Sequence, residues 1–209
     1  MDPKQRVREA YNQIATEYLA ARMASHHDVQ LLEELVEGLP HGARVLDAGC
    51  GAGIPVTRFL SQHFSVLGVD ISDEQIRLAR TAVPSATFIR KDLVKLGLDD
   101  ASFDSIVCFY AIFHIPFTEH GEVLTNFFRL LRPGGVLLIC LANSSSELEG
   151  EEEFFGESMY YSAPAVADSV ALLAEAGFDL VWQRDVVDPL DENSSQLFVL
   201  AQKPGVTSQ

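Results

Sequence analysis

The stretch from Arg44 to Pro55, RVLDAGCGAGIP, constrains the fold of this chain more than any other. Val45 and Leu46 open it with the short apolar run of a buried parallel strand, three glycines interrupt it, and the helical pattern VTRFLSQHF follows. Strand, glycine turn and helix in that order leave two readings. Gly49, Gly51 and Gly53 admit positive φ and let the backbone approach a ligand closely, with the first N–H groups of the next helix pointing into the same crevice. The same glycines also suit a tight turn that binds nothing.

A dinucleotide fingerprint asks for another glycine three residues after Gly51, where this chain has Ile54 followed by Pro55. That weighs against a nicotinamide oxidoreductase. The segment resembles instead the first motif of the class I S-adenosylmethionine (SAM)-dependent methyltransferases, whose Asp-x-Gly-x-Gly-x-Gly pattern matches Asp47, Gly49, Gly51 and Gly53. Further motifs follow in that family's order, so the resemblance extends from Tyr11 to Gln202. It implies SAM as cofactor, S-adenosylhomocysteine (SAH) as product, and cofactor contacts from Asp47, Gly49, Gly51, Ile54, Pro55 and the backbone of Cys50.

Composition narrows the partners. A chain of 209 residues suits one domain, 1–209, that buries its core without disulfide or metal staples. A net charge of −15 repels polyphosphate and anionic lipid, and no basic patch offsets it, so neither nucleic acid nor membrane is an expected partner. Cys50, Cys108 and Cys140 are odd in number and show no Cys-x-x-Cys spacing, which reads as reduced core thiols. With a charged start and no apolar run long enough to span a bilayer, the expectation is a cytoplasmic protein.

From Pro3 to about Met23 the residues Val7, Tyr11, Ile14, Tyr18 and Leu19 fall at helical spacing. Tyr11 and Tyr18 share a face, where they either simply pack or do more. The segment resembles the Tyr-x-x-x-Ala-x-x-Tyr cap of small-molecule methyltransferases through Tyr11, Ala15 and Tyr18, with Arg22 one turn on. In that resemblance residues 1–25 close over the cofactor, and the hydroxyls or Arg22 reach its polar groups. His26, His27 and Asp28 read as the solvated start of a helix to Glu37, since adjacent histidines do not face one another and nothing completes a metal site.

SVLGVD and ISDEQIRLARTAV form a second strand–helix unit, with Ser72 as N-cap and Gln75 completing a capping box. Asp70, followed by Ile71, ends that strand where a parallel sheet faces its ligand crevice, so its carboxylate suits two ribose hydroxyls. The third strand, SATFIRKDL, leads to Asp92, which the resemblance assigns to the adenine amino group with Leu93 offering its N–H to the ring. Asp92 equally suits capping the next turn. The fourth strand leads to a mouth where Phe109 and Tyr110 are expected beside the cofactor and Phe113 and His114 beside the substrate. His114 is placed either to take a proton from an acceptor, as a catalytic base, or to bond a backbone carbonyl.

The helix in GEVLTNFFRLLRPGG ends at Pro133, Gly134 and Gly135 turn the chain, and the strand VLLICLAN comes next; LRPGG resembles the family's turn between this helix and strand. In SSSELEGEEEFFGESMYY six glutamates surround Phe154 and Phe155, which reads either as a solvated, mobile segment or as the substrate lid that the family inserts here, residues 144–162. As a lid it brings Phe155, Tyr160 and Tyr161, with Tyr18, to the acceptor, and favours a cationic or electron-rich aromatic one over a phosphorylated one. The helix Ala163 to Ala176 ends at Gly177, and FDLVWQRDVV and QLFVLAQ, joined by a short polar link, must pair antiparallel.

The expected fold is α/β, a doubly wound Rossmann-like αβα sandwich with a mostly parallel seven-stranded sheet and an antiparallel last strand. The expected function is methyl transfer from SAM to a small-molecule acceptor, by a monomer or homodimer without metal. A non-catalytic SAM-binding or partner subunit would carry identical motifs.

Overall fold

The central strands carry apolar residues on both faces, and the two parities feed two separate cores. The computed structural model describes residues 2–144 and 148–205. Its main sheet contains β1 (Arg44–Ala48), β2 (Ser65–Asp70), β3 (Thr87–Arg90), β4 (Phe103–Cys108), β5 (Leu131–Ala142), β8 (Asp179–Asp188) and β9 (Asp191–Gln202), in the order β3-β2-β1-β4-β5-β9-β8. The first five run parallel, and β9 enters antiparallel between β5 and β8. This is the doubly wound sheet with a reversed last strand that the sequence implies.

On one face Leu46, Ile106, Leu137, Ile139 and Val199 pack with Val123, Phe127 and Leu173 of α5 (Phe117–Leu130) and α6 (Val166–Glu175). On the other, Val45, Val107, Leu138, Cys140 and Phe198 meet Leu32, Leu35 and Leu60 of α2 (Leu31–Gly38) and α3 (Val56–Leu60). Strands buried on both faces explain why the sequence shows continuous apolar runs there. All three cysteines are free and buried. No helix among the described residues is long and apolar enough to cross a membrane.

Helix α1 (Pro3–Ala24) starts with Asp2 accepting the Lys4 N–H and Pro3 in the first turn, a favoured opening because proline lacks only an N–H that would be unpaired anyway. Its buried residues Val7, Ala10 and Ile14 pack on Met159 and Tyr160 of a separate hairpin, β6 (Leu148–Phe154) and β7 (Glu157–Ala163). The acidic segment is therefore a paired hairpin and not a bare solvated loop. Its tip, Phe155 and Gly156, takes positive φ at both residues, the geometry of a two-residue hairpin turn. Glu149 and Glu151 find partners in the Tyr160 hydroxyl and Arg6, which is why so acidic a strand pairs at all. Glu147, counted in that acidic run, lies with residues 145 and 146 outside the described residues.

Four local expectations are corrected. The helix drawn from Asp28 to Glu37 is a 3₁₀ turn, His27–Gln30, followed by α2. Asp28 is not solvated but fully buried, accepting from Arg22 Nη2 at 2.6 Å, because a guanidinium that is itself only 3% exposed requires a countercharge. The glycine loop's helix is a short α3, and α5 ends at Leu130 and not at Pro133, since LRPGG is already the irregular start of β5, where the register shifts between Phe103 and Ser105.

Candidate active site

The chain leaves β1 and folds against β2, with Gly49 and Cys50 both donating to the Val69 carbonyl (2.7 and 3.0 Å). A Cβ on Gly49 would lie 2.2 Å from that of Ala111, so only glycine lets the loop meet the mouth of β4. At Gly51, with φ +52°, such a Cβ would meet only ordinary contacts, Gln75 Oε1 at 3.7 Å and a Tyr18 ring carbon at 4.0 Å, so here it is the positive φ that asks for glycine. The glycines thus solve a steric problem at Gly49 and leave the loop backbone beside the cavity at Gly51.

Asp70 stands at the end of β2, its Oδ2 accepting from Gly51 N (2.9 Å) and its Oδ1 from Ser72 N (2.8 Å). Burial raises its pKa, opposed by backbone N–H bonds from Ser72, Gly51 and Ile71. Each oxygen keeps a lone pair beyond its backbone bond. Because Ser72 N is taken by Asp70, the capping box forms only in one direction. Ser72 Oγ accepts from Gln75 N, but the Gln75 side chain is 1% exposed and both its amide atoms lack a partner. An amide buried without partners is costly, at about 1–3 kcal/mol, and this one lines the cavity between Asp70 and the loop. The sequence pattern gave no sign of it.

Asp92 makes the cap as well as facing the cavity: Oδ1 accepts from Val94 N at 2.9 Å and Oδ2 lies 2.9 Å from Lys4 Nζ. Lys4 also reaches Glu119, which draws the start of α1 across the crevice. No motif marked Lys4 in the sequence.

Over the crevice, the rings of Tyr11 and Tyr18 meet edge to face at 5.4 Å. Arg22 sits one turn further, 5.2 Å from the ring centre of Tyr110, whose hydroxyl is buried and unpartnered. His114 is 6% exposed and placed by two contacts, Nδ1 to the Tyr160 carbonyl and Nε2 to the Tyr11 hydroxyl, both at 3.0 Å. A carbonyl only accepts, so Nδ1 carries the proton and Nε2 accepts from Tyr11. Burial lowers the imidazole pKa to about 4, opposed by the Tyr160 carbonyl, while burial pushes both tyrosine hydroxyls up, Tyr18 to about 12. At neutral pH the group is a neutral imidazole bonded to a neutral phenol. Asp47, 1% exposed, accepts from the Thr57 hydroxyl, and burial raises its pKa to about 7.

These groups surround three adjoining cavities. The first is bordered by Tyr11, Tyr18, Gly49, Gly51, Asp70, Ile71, Asp92, Leu93, Phe109, Tyr110 and His114, together with Lys4 and Gln75. A smaller one beside the loop adds Arg22, Asp47, Cys50, Ile54 and Pro55. Every residue expected beside the cofactor thus borders one of these two spaces. A wider third cavity shares Tyr11, Tyr18, Tyr110 and His114 with the first and continues past Phe113, Phe155 and Tyr161, also expected, and Phe154. Tyr160 is not brought there: its ring packs under α1 with its hydroxyl on Glu149, and only its carbonyl serves the site. Glu152, Glu153, Asp188 and Asp191, which line the wider cavity, were not singled out for it.

A family model described as a methyltransferase domain matches residues 45–135. An O-methyltransferase, rstn1 of Aspergillus nomiae, is 30% identical over 171 residues, covering 76% of this chain and 75% of that protein. The chain belongs to the class I SAM-dependent methyltransferases. The methyltransferase GfsG of Streptomyces halstedii is 31% identical over 171 residues, 75% of this chain and 61% of its own length. The fold matches that of the magnesium protoporphyrin IX methyltransferase of Synechocystis, solved with bound SAH, at a TM-score of 0.74 and 19% identity over 97% of this chain and all of that one. The cofactor of this methyltransferase is SAM. The first cavity suits such a molecule on its own chemistry: the free lone pairs of Asp70 match hydroxyl donors, the orphan amide of Gln75 awaits a polar partner, and the Gly51 backbone borders the space at the loop.

Proposed function

We propose that this methyltransferase modifies a small molecule seated in the wider cavity, with SAM held in the first. The observation that carries the reading is that the two cavities meet at Tyr11, Tyr18, Tyr110 and His114, beneath a roof made by α1 and the β6–β7 hairpin. A roofed, aromatic-walled space on a chain of net charge −15 suits a small acceptor and not a polyanion.

In this reading Asp70 receives the ribose hydroxyls, Asp92 and Leu93 the adenine, Gln75 a polar group near the loop, and Asp47 and the loop backbone the amino-acid end. When bound, SAM supplies a methyl group on a positively charged sulfur, a good leaving group. The protein's task is alignment and exclusion of water, and alignment can supply roughly 7–11 kcal/mol. Tyr11 presents its hydroxyl to the acceptor and His114 receives hydrogen bonding from Tyr11, so a hydroxyl acceptor suits the geometry; the relative from Aspergillus nomiae is an O-methyltransferase. Residues 1–209 act as one domain, with 1–25 as cap and 144–162 as lid, of which 145–147 lie outside the described residues.

The test is to supply methyl-labelled SAM with separated low-mass, protein and nucleic-acid fractions of a cell extract. Label is expected in the low-mass fraction. Label confined to protein or nucleic acid would contradict the reading.

A further inference from the structure

Gln75, on α4 (Asp73–Ala82), is held by the same two residues that hold Asp70. Its backbone N–H donates to Ser72 Oγ at 3.1 Å, and Ser72 N in turn donates to Asp70 Oδ1 at 2.8 Å. Its side-chain amide lies at Gly51, with Oε1 3.7 Å from where a Cβ on that glycine would stand, and Gly51 N donates to Asp70 Oδ2 at 2.9 Å. Carboxylate and amide therefore flank one stretch of the first cavity, which both border. Gln75 is 1% exposed, and neither of its amide atoms has a hydrogen-bond partner among the described residues. The fold gains nothing from an unpaired buried amide, so its use lies with what enters the cavity.

The other donors around Asp70 are spent. Gly51 N, Ile71 N and Ser72 N bond the carboxylate, Gln75 N bonds Ser72 Oγ, and the Ser72 hydroxyl donates to Asn12 Oδ1 at 2.7 Å. A hydroxyl seated on Asp70 must donate to it, because a carboxylate only accepts, and the hydroxyl's own oxygen then needs a donor. Among these groups Gln75 Nε2 alone has hydrogens to give. An ammonium would satisfy Asp70 but could not accept from Nε2, and a carboxylate would face Asp70 as a like charge; a hydroxyl suits both groups at once. We infer that Gln75 is a specificity-determining residue for the cofactor: one ribose hydroxyl lies between Asp70 and Gln75, donating to the carboxylate and accepting from the amide. This rests on the first cavity being the SAM site, and it gives that site a second group that reads the sugar. A sugar with hydrogen in place of that hydroxyl leaves both side chains without the partner.

The test is calorimetric titration of SAH, 2′-deoxy-SAH and 3′-deoxy-SAH into the full chain, with the wild type beside Gln75→Met, which keeps the side chain's length, and Gln75→Leu. The wild type is expected to bind SAH about a hundredfold tighter than one of the two deoxy analogues. In the variants SAH is expected to bind roughly tenfold more weakly while that analogue stays within about threefold of its wild-type affinity, so the preference falls to about tenfold, the part that Asp70 supplies. Thermal unfolding of the same samples is expected to show both variants folded, with a Tm at or above that of the wild type. Equal wild-type affinity for SAH and both analogues, a preference of unchanged size in the variants, or equal weakening of all three ligands would overturn the inference and leave the SAM site standing. A wild type that does not respond to SAH would overturn the SAM site, and the inference with it.

Discussion

Tyr11 and His114, 103 residues apart in sequence, join cap and sheet through one hydrogen bond of 3.0 Å from the tyrosine hydroxyl to Nε2. With Nδ1 committed to the Tyr160 carbonyl, the imidazole has no free nitrogen, so a proton leaving an acceptor reaches it only by way of Tyr11. Tyr11→Phe and His114→Gln should then each lower kcat by roughly 10²–10⁴, and the double variant should lose little more than either alone. Kinetics on the low-mass acceptor found by label transfer would show it. Additive losses would separate the two residues.

The pKa of His114 gives a test that needs no acceptor. Burial depresses it to about 4 from an ordinary 6.5, so on acidification the unfolded chain takes up this proton first. Stability from this residue is therefore whole above about pH 6.5 and is lost as pH falls towards 4, by roughly 3 kcal/mol in full. Because buried Asp47 gains stability over the same range, the change measured by urea unfolding between pH 7 and pH 4.5 should be less favourable in the wild type than in His114→Gln by about this amount. Nitrogen NMR should find a neutral, Nδ1-protonated ring down to about pH 5; a ring that titrates near 6.5 would contradict the assignment.

Gln75→Leu should act in opposite directions on stability and binding. Removing a buried amide without partners should leave the ligand-free chain as stable or more so, by about 1 kcal/mol, while SAH affinity falls. Thermal unfolding and calorimetry on the same sample decide it. An unchanged SAH affinity would take Gln75 out of the site.

The parts of the fold carried by local pattern were readable in the sequence. Val45 to Gly53, Asp70 and Asp92 announced strand ends and a ligand crevice because parallel strands gather their carboxyl ends on one edge. The antiparallel ending followed from a link too short for a crossover. What was hidden depended on contacts between distant segments. Asp28 read as solvent-facing because nothing local shows that Arg22 is buried beside it. Gln75 read as half of a capping box because Asp70's claim on Ser72 N is a loop contact the pattern cannot show. The acidic hairpin resembled a mobile loop until Arg6 and the underside of α1 were seen to hold it. Asp188 and Asp191 read as a plain connection between strands.

The central claim, that the cavity between the glycine loop, Asp70 and Asp92 is the SAM site, is tested most directly by titrating SAH into the wild type and Asp70→Ala, with NAD as control. SAH is expected to bind the wild type, to bind Asp70→Ala more weakly by about 2–4 kcal/mol because two charge-assisted hydrogen bonds are lost, and NAD to give no heat. Tight NAD binding without response to SAH, or equal SAH affinity in the two proteins, would contradict the assignment.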